Sequence, residues 1–229
     1  MRILAIDTAL EACSAAVLDT ARGAVVAQEQ QPMVRGHAEA LMPVVQRVMQ
    51  HAGLAFADLD RLAVTVGPGS FTGLRVGIAA ARGIALTTAK PAVGLSTLAA
   101  FAAPFIADDD TLPVVAAIDA RHSHVYLQIF GRGGSTLLAP RLATLAEAVR
   151  RAAATGAPRI TGTAAGLLAD SWPADEPPPT AIDNRRAPDI GWVARLGAAA
   201  EDLGTPPKPL YLRAPDAQPQ NAAQLPRRS

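Results

Sequence analysis

A glycine-rich turn between residues 67 and 77 is the stretch of this chain best suited to chemistry. It reads Gly-Pro-Gly-Ser-Phe-Thr-Gly-Leu-Arg-Val-Gly, and it lies between an apolar run at 62–66 and an alanine-rich run from Val76 to Leu86. At a strand-to-helix turn, free backbone amides and the positive end of the helix dipole can hold a phosphate. The turn lacks the Lys-Ser/Thr ending of a P-loop and the GxGxxG spacing of a dinucleotide fold. The residues alone therefore favour the alternative, a tight turn with a close helix contact.

Two carboxylates end predicted strands, and the first of them, Asp7, could hold the Mg²⁺ of a nucleotide through water. Asp7 closes the first apolar run, and Asp119 closes a later one at 113–118. The alternative is that each is simply a polar residue at the end of a strand. The candidate nucleotide-binding residues are Asp7, Thr8, Gly67, Gly69, Ser70 and Asp119.

Other reactive side chains give weaker patterns. His122 and His124 would share a face of one strand and could bind a metal, but no third ligand stands nearby, so exposed histidines of a hairpin are favoured. Cys13 is the only cysteine, which excludes a disulfide within the chain. Neither Cys13 nor Ser70 has a histidine near it in sequence, so a buried thiol and a helix-capping hydroxyl are favoured over nucleophiles. No catalytic residue and no metal site are predicted.

The elements that would position these residues follow a repeated order. The first set has strands at 2–6, 13–18 and 24–28, a helix at 39–52, a strand at 62–66, a helix at 73–87, a strand at 91–94 and a helix at 97–103. A shorter set follows the run Asp108-Asp109-Asp110, with strands at 113–118, 125–130 and 159–161 and helices at 144–154, 164–169 and 190–203. The pattern indicates an α/β protein of two lobes, 1–107 and 108–213. From residue 214 to 229 the chain has little to bury, which predicts disorder.

Composition limits the function classes. The chain has 229 residues and a net charge of +1, with 21 Lys plus Arg against 20 Asp plus Glu. A protein that holds RNA by itself more often has a basic excess, so independent binding of nucleic acid is not expected. No apolar run reaches membrane-spanning length, and no charged leader with an apolar stretch begins the chain. These features predict a cytoplasmic protein.

Several strings taken together resemble the TsaB (YeaZ-type) family, part of the bacterial machinery that makes N6-threonylcarbamoyladenosine in tRNA. They are the opening at 1–9 with Glu11-Ala12-Cys13-Ser14, the glycine-rich turn at 67–77, residues 93–98, residues 118–121 with Val125-Tyr126, and residues 209–213. The resemblance reaches almost the whole chain, to about Arg213. It implies the actin-like ATPase (ASKHA) fold, shared with Hsp70 and sugar kinases, in which two related lobes face each other.

The resemblance also implies a role without catalysis. The chain would pair with a metal-bearing catalytic paralogue (TsaD-type) that modifies adenosine 37 of tRNAs reading codons that begin with A. It would help to recruit a small ATPase (TsaE-type), form a homodimer in the absence of both, and meet tRNA only through the complex. The paralogue carries a His-x-x-x-His metal pair where this chain has Ser96 to Ala100. No cofactor is expected, with ATP and Mg²⁺ at most at an interface of the complex.

In that family the helices corresponding to 39–52 and 73–87 contact the paralogue or the second copy. The predicted interface residues are Leu41, Val45, Val48, Gly73, Arg75, Gly77, Ala81 and Arg82. Gly77→Leu is then expected to weaken pairing and to leave the fold mostly intact. The alternative is that both apolar stripes pack only on their own sheet.

Two other functions stay open. The chain could be a small actin-fold ATPase or phosphotransferase that uses Asp7, the 67–73 loop and Asp119. Nucleotide-binding relatives place glycines after the strand where Ala120 and Arg121 stand here, which counts against an ordinary ATPase. A chaperone-like or self-associating regulator is the third possibility.

Overall fold

The computed structural model describes residues 1–213, so the predicted disordered tail at 214–229 lies outside the described residues. Two five-stranded sheets form the framework. The first contains β1 (Arg2–Asp7), β2 (Ala12–Asp19), β3 (Ala24–Pro32), β4 (Arg61–Gly67) and β5 (Ala92–Ser96). The second contains β6 (Val114–Asp119), β7 (His124–Phe130), β8 (Thr136–Thr144), β9 (Arg159–Thr161) and β10 (Ala181–Asp183).

Both sheets have the same topology. The first has the strand order β3-β2-β1-β4-β5, and the second repeats it as β8-β7-β6-β9-β10. In each, three antiparallel strands come first, and two parallel strands are then added on the other side of the first strand. This repetition confirms the predicted α/β, actin-like fold of two related lobes.

Six α-helices cover the sheets: α1 (His37–Ala52), α2 (Phe71–Thr88), α3 (Thr97–Asp108), α4 (Leu145–Ala153), α5 (Ala165–Asp170) and α6 (Ile190–Ala199). Local signals set several of their ends. The hydroxyl of Ser70 caps α2, and Gly53 ends α1 in the left-handed conformation. Among the described residues, no helix is both long and apolar enough to cross a lipid bilayer.

The first sheet is buried on both faces, because alternate residues of β1 point to opposite sides. Leu4 and Ile6 join the core formed with α1 and α2, whereas Ile3 and Ala5 join the core formed with α6. Helix α6 lies within the range predicted for the second lobe, yet it packs on the first sheet. The division at residue 107/108 stays a prediction.

The last described segment, residues 202–213, is here called the strap. It contains no helix or strand and follows one edge of the first lobe. Its early residues face the end of α2 and the start of β5, and the amide of Leu210 then donates a 2.7 Å hydrogen bond to the carbonyl of Val66. The ring of Tyr211 reaches the start of α2. The strap therefore runs beside α2 from its last turn to its first.

Candidate functional site

The glycine-rich turn packs closely on the turn between β1 and β2. The amide of Ser70 donates a 2.7 Å hydrogen bond to the carbonyl of Ala9, and the hydroxyl of Thr8 donates one of 2.7 Å to the carbonyl of Gly73. A Cβ atom at Gly69 would collide with the Ala9 carbonyl, and one at Gly73 with the Thr8 carbonyl. The glycines are therefore required for this contact between two turns of the backbone.

Two of the first four amides of α2 have partners within the chain. The amide of Gly73 donates to the Ser70 hydroxyl at 3.3 Å, and that of Leu74 donates to the Ser70 carbonyl at 2.9 Å. Gly67, with a φ of 120°, lies against the strap, where an added Cβ would stand 2.8 Å from the carbonyl oxygen of Leu210. This geometry matches the tight turn with a close helix contact rather than an open phosphate cradle.

Asp7 is fully buried in the first lobe. Its side chain has no exposed surface, and its Oδ1 atom accepts hydrogen bonds from the Thr65 hydroxyl and, at 3.2 Å, from the Ala9 amide. Its Oδ2 atom is buried without a partner in the described part of the chain. Burial raises the pKa of Asp7 from 3.8 to about 6, although both hydrogen bonds and the positive field of His37 oppose the rise. Asp7 therefore does not fit the role of a ligand to the hydrated Mg²⁺ of a nucleotide, because its carboxylate has no exposed surface.

Asp119 lies instead in an open cleft between the lobes. The cleft has a volume of about 570 Å³ and is also lined by Gly69 and Ser70, whereas Asp7, Thr8 and Gly67 are not in its wall. The structure thus brings three of the predicted nucleotide-binding residues, Gly69, Ser70 and Asp119, to one cleft. The other three do not line it. An ion pair of 2.6 Å between Arg186 and Glu11 crosses this cleft.

The loop after Asp119 is unusually shaped. Arg121, His122 and Ser123 have φ values of 64°, 51° and 58°, in the left-handed region that few non-glycine residues adopt. The Asp119 carboxylate accepts a 2.8 Å hydrogen bond from the Arg121 amide and so holds the loop. The imidazole of His124 contacts the His122 carbonyl at 2.7 Å. Residues 1–213 contain no group of three His, Cys, Asp or Glu side chains placed to hold a metal.

The structure places the predicted interface residues in two environments. Arg75 and Arg82 are exposed, but the other predicted residues are buried in the first lobe: Leu41, Val45, Val48, Gly73, Gly77 and Ala81. Their small or apolar side chains are needed to pack α1 and α2 on the sheet and on the β1–β2 turn. These six residues therefore support the two helices from within and do not form their outer surface. Whether the outer surface meets a partner stays a prediction.

The outer surface of the two helices carries a different set of apolar side chains. Met42 on α1 is 46% exposed, and Phe71 and Leu86 on α2 are 42% and 83% exposed. On α2 we define the outer stripe as Phe71, Arg75, Ala79, Arg82 and Leu86, whose spacing of three and four residues places them on one helix face. The spacing of Arg75 and Arg82 in the sequence indicates this exposed face of α2. Gly73 and Gly77 mark the opposite, buried face.

An aromatic and cationic cluster begins this stripe. The rings of Phe71 and Tyr211 are stacked with centroids 5.3 Å apart and an angle of 27° between their planes. The guanidinium of Arg75 lies 3.8 Å from the centroid of Phe71, and its Nε atom donates a 3.2 Å hydrogen bond to the Tyr211 hydroxyl. Tyr211 is distant in sequence, so no local pattern could have placed it here.

Comparisons with known proteins point to one family. A family model described as "TsaD: tRNA N6-adenosine threonylcarbamoyltransferase" matches residues 25–166. The Escherichia coli (strain K12) protein named "tRNA threonylcarbamoyladenosine biosynthesis protein TsaB" is 45% identical over 127 residues, which are 55% of this chain and 53% of that relative. The match thus spans about half the length of this curated relative.

Two further relatives match over nearly their whole length. An uncharacterized protein of Mycobacterium tuberculosis (strain ATCC 25618 / H37Rv) is 34% identical over 220 residues, covering 95% of this chain and 94% of the relative. A crystal structure from Pseudomonas aeruginosa, of an uncharacterized protein with similarity to peptidase YEAZ, is 29% identical. It covers 93% of this chain and 99% of its own, with a TM-score of 0.78.

Proposed function

Because the chain belongs to the TsaB (YeaZ-type) family, we propose that it is a non-catalytic partner subunit in the formation of N6-threonylcarbamoyladenosine at position 37 of tRNAs that read codons beginning with A. Its partner is the metal-bearing catalytic paralogue, which transfers the threonylcarbamoyl group. The chain also helps to recruit the small ATPase of that system, forms a homodimer when both are absent, and meets tRNA only within the complex. Its predicted location is the cytoplasm.

One observation carries the proposal: several of the groups that a nucleotide enzyme of this fold would direct at its substrate are enclosed within the first lobe. Asp7 is fully buried, the Thr8 hydroxyl is bonded to the Gly73 carbonyl, and the glycine-rich turn rests on Ala9. Side chains enclosed in this way do not face the cleft, so they cannot contact a substrate bound there. The function is therefore supported better by surfaces than by a reaction centre.

The outer face of α2 supports a role in protein binding. The helix contains two arginines and no acidic residue, and neither Arg75 nor Arg82 belongs to any ion pair among residues 1–213. The exposed apolar side chains next to them, Phe71 and Leu86, provide area that a partner can cover. Aromatic residues and arginine are the types most enriched in the centres of protein interfaces.

A reconstitution tests the proposal. The purified chain is mixed with the catalytic paralogue, the small ATPase, threonylcarbamoyl-adenylate and tRNA, and modified adenosines are counted with and without this chain. We expect product that requires the chain, and none from the chain alone. Replacing Arg75 and Arg82 with Glu should reduce product, whereas replacing the exposed Arg132 and Arg141 of the second lobe with Glu should not.

Product formation that is unchanged when the chain is omitted would overturn the partner role. In that case calorimetry with ATP and Mg²⁺ becomes decisive for the ATPase or phosphotransferase alternative, because an independent enzyme must bind nucleotide without partners. Tight binding that is lost in Asp119→Asn would favour that alternative.

A further inference from the structure

The last turn of α2 and the first half of the strap enclose a groove of about 630 Å³. Its walls are mostly carbon, with Ala85 and Leu86 on the helix side and Pro206 and Pro207 on the strap side. Leu86 in its wall is 83% exposed, and Leu203, which lies in the chain between the lining residues Asp202 and Gly204, is 73% exposed. Two large exposed apolar side chains beside a groove are a common sign of a binding surface.

The groove continues the outer stripe of α2. Arg82 belongs both to the stripe and to the groove wall, and the stripe ends at Phe71, where Tyr211 of the strap is stacked on it. One surface therefore extends along the whole helix, with α2 on one side and the strap on the other. A partner that covers the stripe must also meet the groove.

The charge of the groove favours an acidic occupant. Arg82 and Lys90 line it, and neither takes part in an ion pair in the described part of the chain. The carboxylate of Asp202 also lines the groove and accepts a 2.9 Å hydrogen bond from the Gly204 amide, so the two cations and this one anion leave the lining with a net positive charge. A carboxylate brought by the occupant would meet two unpaired cations.

The groove is also preformed. The strap is held at one end by the bond from the Leu210 amide to the Val66 carbonyl, and the chain before it is held by Arg61. The Arg61 guanidinium donates hydrogen bonds of 3.0 Å and 2.7 Å to the carbonyls of Gly197 and Ala200. A surface that is ordered before binding loses little conformational entropy when a partner arrives.

We propose that the groove between α2 and the strap receives a segment of the paralogous catalytic subunit that carries an apolar side chain next to a carboxylate. This inference rests on the proposed function, since it names a contact made within the same complex. It assigns residues 202–207, together with the end of α2, to the docking surface. The apolar side chain fills the space between Leu86 and Leu203, and the carboxylate meets Arg82 and Lys90.

The test measures the dissociation constant between the full chain and the purified paralogue for four proteins: wild type, Leu86→Asp, Leu203→Asp and Leu167→Asp. Leu86→Asp and Leu203→Asp place a negative charge in the groove and are expected to weaken binding at least tenfold. Leu167→Asp is the matched control, because it changes an exposed leucine on α5 of the second lobe and should leave affinity unchanged. Equal unfolding midpoints in urea establish that each variant is folded.

Each outcome decides a different point. If wild type does not bind the paralogue, both the proposed function and this inference fall. If wild type binds and Leu203→Asp binds equally well, the inference is overturned while the proposed function stands. If Leu203→Asp impairs only self-association, measured by sedimentation, the groove belongs to the homodimer and the inference is again overturned. Weakening by both groove variants, with the control unchanged, supports it.

Discussion

The hydroxyl of Thr8 donates a 2.7 Å hydrogen bond to the carbonyl of Gly73, which joins the β1–β2 turn directly to the first turn of α2. Thr8 is 1% exposed, and its hydroxyl also lies where a Cβ atom of Gly77 would be. Thr8 thus explains why glycine stands at positions 73 and 77 of the helix.

The first prediction concerns Gly77→Leu, which should unfold the protein more easily instead of leaving the fold intact. The new Cβ atom would collide with the Thr8 hydroxyl and stand 3.5 Å from Val64, so the helix would have to move away from the sheet. Overpacking of this kind costs about 1–3 kcal/mol, and loss of the buried hydrogen bond adds to it. Urea denaturation measures the free energy of unfolding.

Gly83→Leu is the matched control on the same helix. A Cβ atom at Gly83 meets nothing within 4 Å, so the change should be neutral or should stabilise the helix by about 0.5–1 kcal/mol. If the two variants had the same free energy of unfolding, the contact between Thr8 and α2 would have enough space to accept a side chain at position 77.

The second prediction uses the pKa of Asp7, which burial raises to about 6. Because the folded state binds this proton more tightly than the unfolded state, the stabilisation is complete below pH 3.8 and is lost as the pH rises through 6. The whole shift corresponds to about 3 kcal/mol, of which about 2 kcal/mol falls between pH 4.5 and 7.5. Asp7→Asn stays neutral, so its stability relative to wild type should increase by that amount over this range.

The free energy of unfolding is measured by urea denaturation at several pH values for Asp7→Asn and for wild type. The difference between the two proteins reports the titration of Asp7, because the other titrating groups contribute equally to both. Asp175→Asn, on an exposed loop, should give a difference that does not change with pH. A flat difference for Asp7→Asn as well would show that Asp7 is ionised in the folded protein at every pH tested.

The third prediction is that Cys13 is inert in the folded protein. Burial raises the pKa of its thiol to about 11, with the charges of Asp7 and Glu29 in support, and its side chain has no exposed surface. At pH 8 only about 0.1% of such a thiol is thiolate, the reactive form. Reaction with a disulfide reagent should be at least about a hundredfold slower in buffer than in denaturant. A fast reaction in buffer would indicate that β2 opens without global unfolding.

Parts of the fold were predictable because their causes are local. The apolar runs of β1 and β4 are buried on both faces, and Ser70 marks the start of α2 by capping it. Strand β8 was not predicted, because it is a mostly exposed edge strand that contains Pro140 and so lacks a clear apolar pattern. Strand β10 has only three residues, too few to show a period.

The site was harder to predict because it depends on distant contacts. The sequence marks Gly73 and Gly77 as positions of close approach, but it does not say what approaches, and the answer is Thr8. Helix α6 follows the second set of elements in the chain, yet it packs on Ala63 and its neighbours in the first sheet. Tyr211 joins Phe71 across 140 residues of chain, which no local pattern encodes.

The fourth prediction concerns Arg61, which ties the end of α6 to β4. Its guanidinium donates hydrogen bonds to the carbonyls of Gly197, Ala198 and Ala200. Arg61→Leu leaves these carbonyls without a donor and should lower the free energy of unfolding by about 1.5–3 kcal/mol, the usual range for hydrogen bonds to charged groups. Arg22→Leu, at an arginine whose side chain is 74% exposed, should change it by less than about 1 kcal/mol. If both variants lowered the free energy of unfolding by the same small amount, water would be replacing the Arg61 guanidinium as the donor to the carbonyls at the end of α6.

The last prediction concerns the attachment of the strap through Tyr211. Tyr211→Ala removes the stacked contact with Phe71 together with the acceptor for Arg75, whereas Tyr211→Phe removes only the acceptor. An aromatic pair contributes about 0.5–1.5 kcal/mol beyond its buried area, so the alanine variant should open the strap up to about tenfold more often. Hydrogen exchange of the Leu210 amide, which is bonded to Val66, reports this opening directly.

Tyr211→Phe should raise the Leu210 exchange rate by less than about fivefold, since an exposed hydrogen bond from a charged guanidinium to a neutral hydroxyl is weakened by water to about 0.5–1 kcal/mol. The amide of Ala5, inside the first sheet, should exchange at the same slow rate in all three proteins, because opening of the strap leaves β1 covered. If the Leu210 amide of Tyr211→Ala exchanged no faster than that of wild type, the ring stack would not be what holds the strap. The backbone bond to Val66, the packing of Pro207 against Gly94 and the hydrogen bond from Arg213 to the Ala120 carbonyl would then hold it.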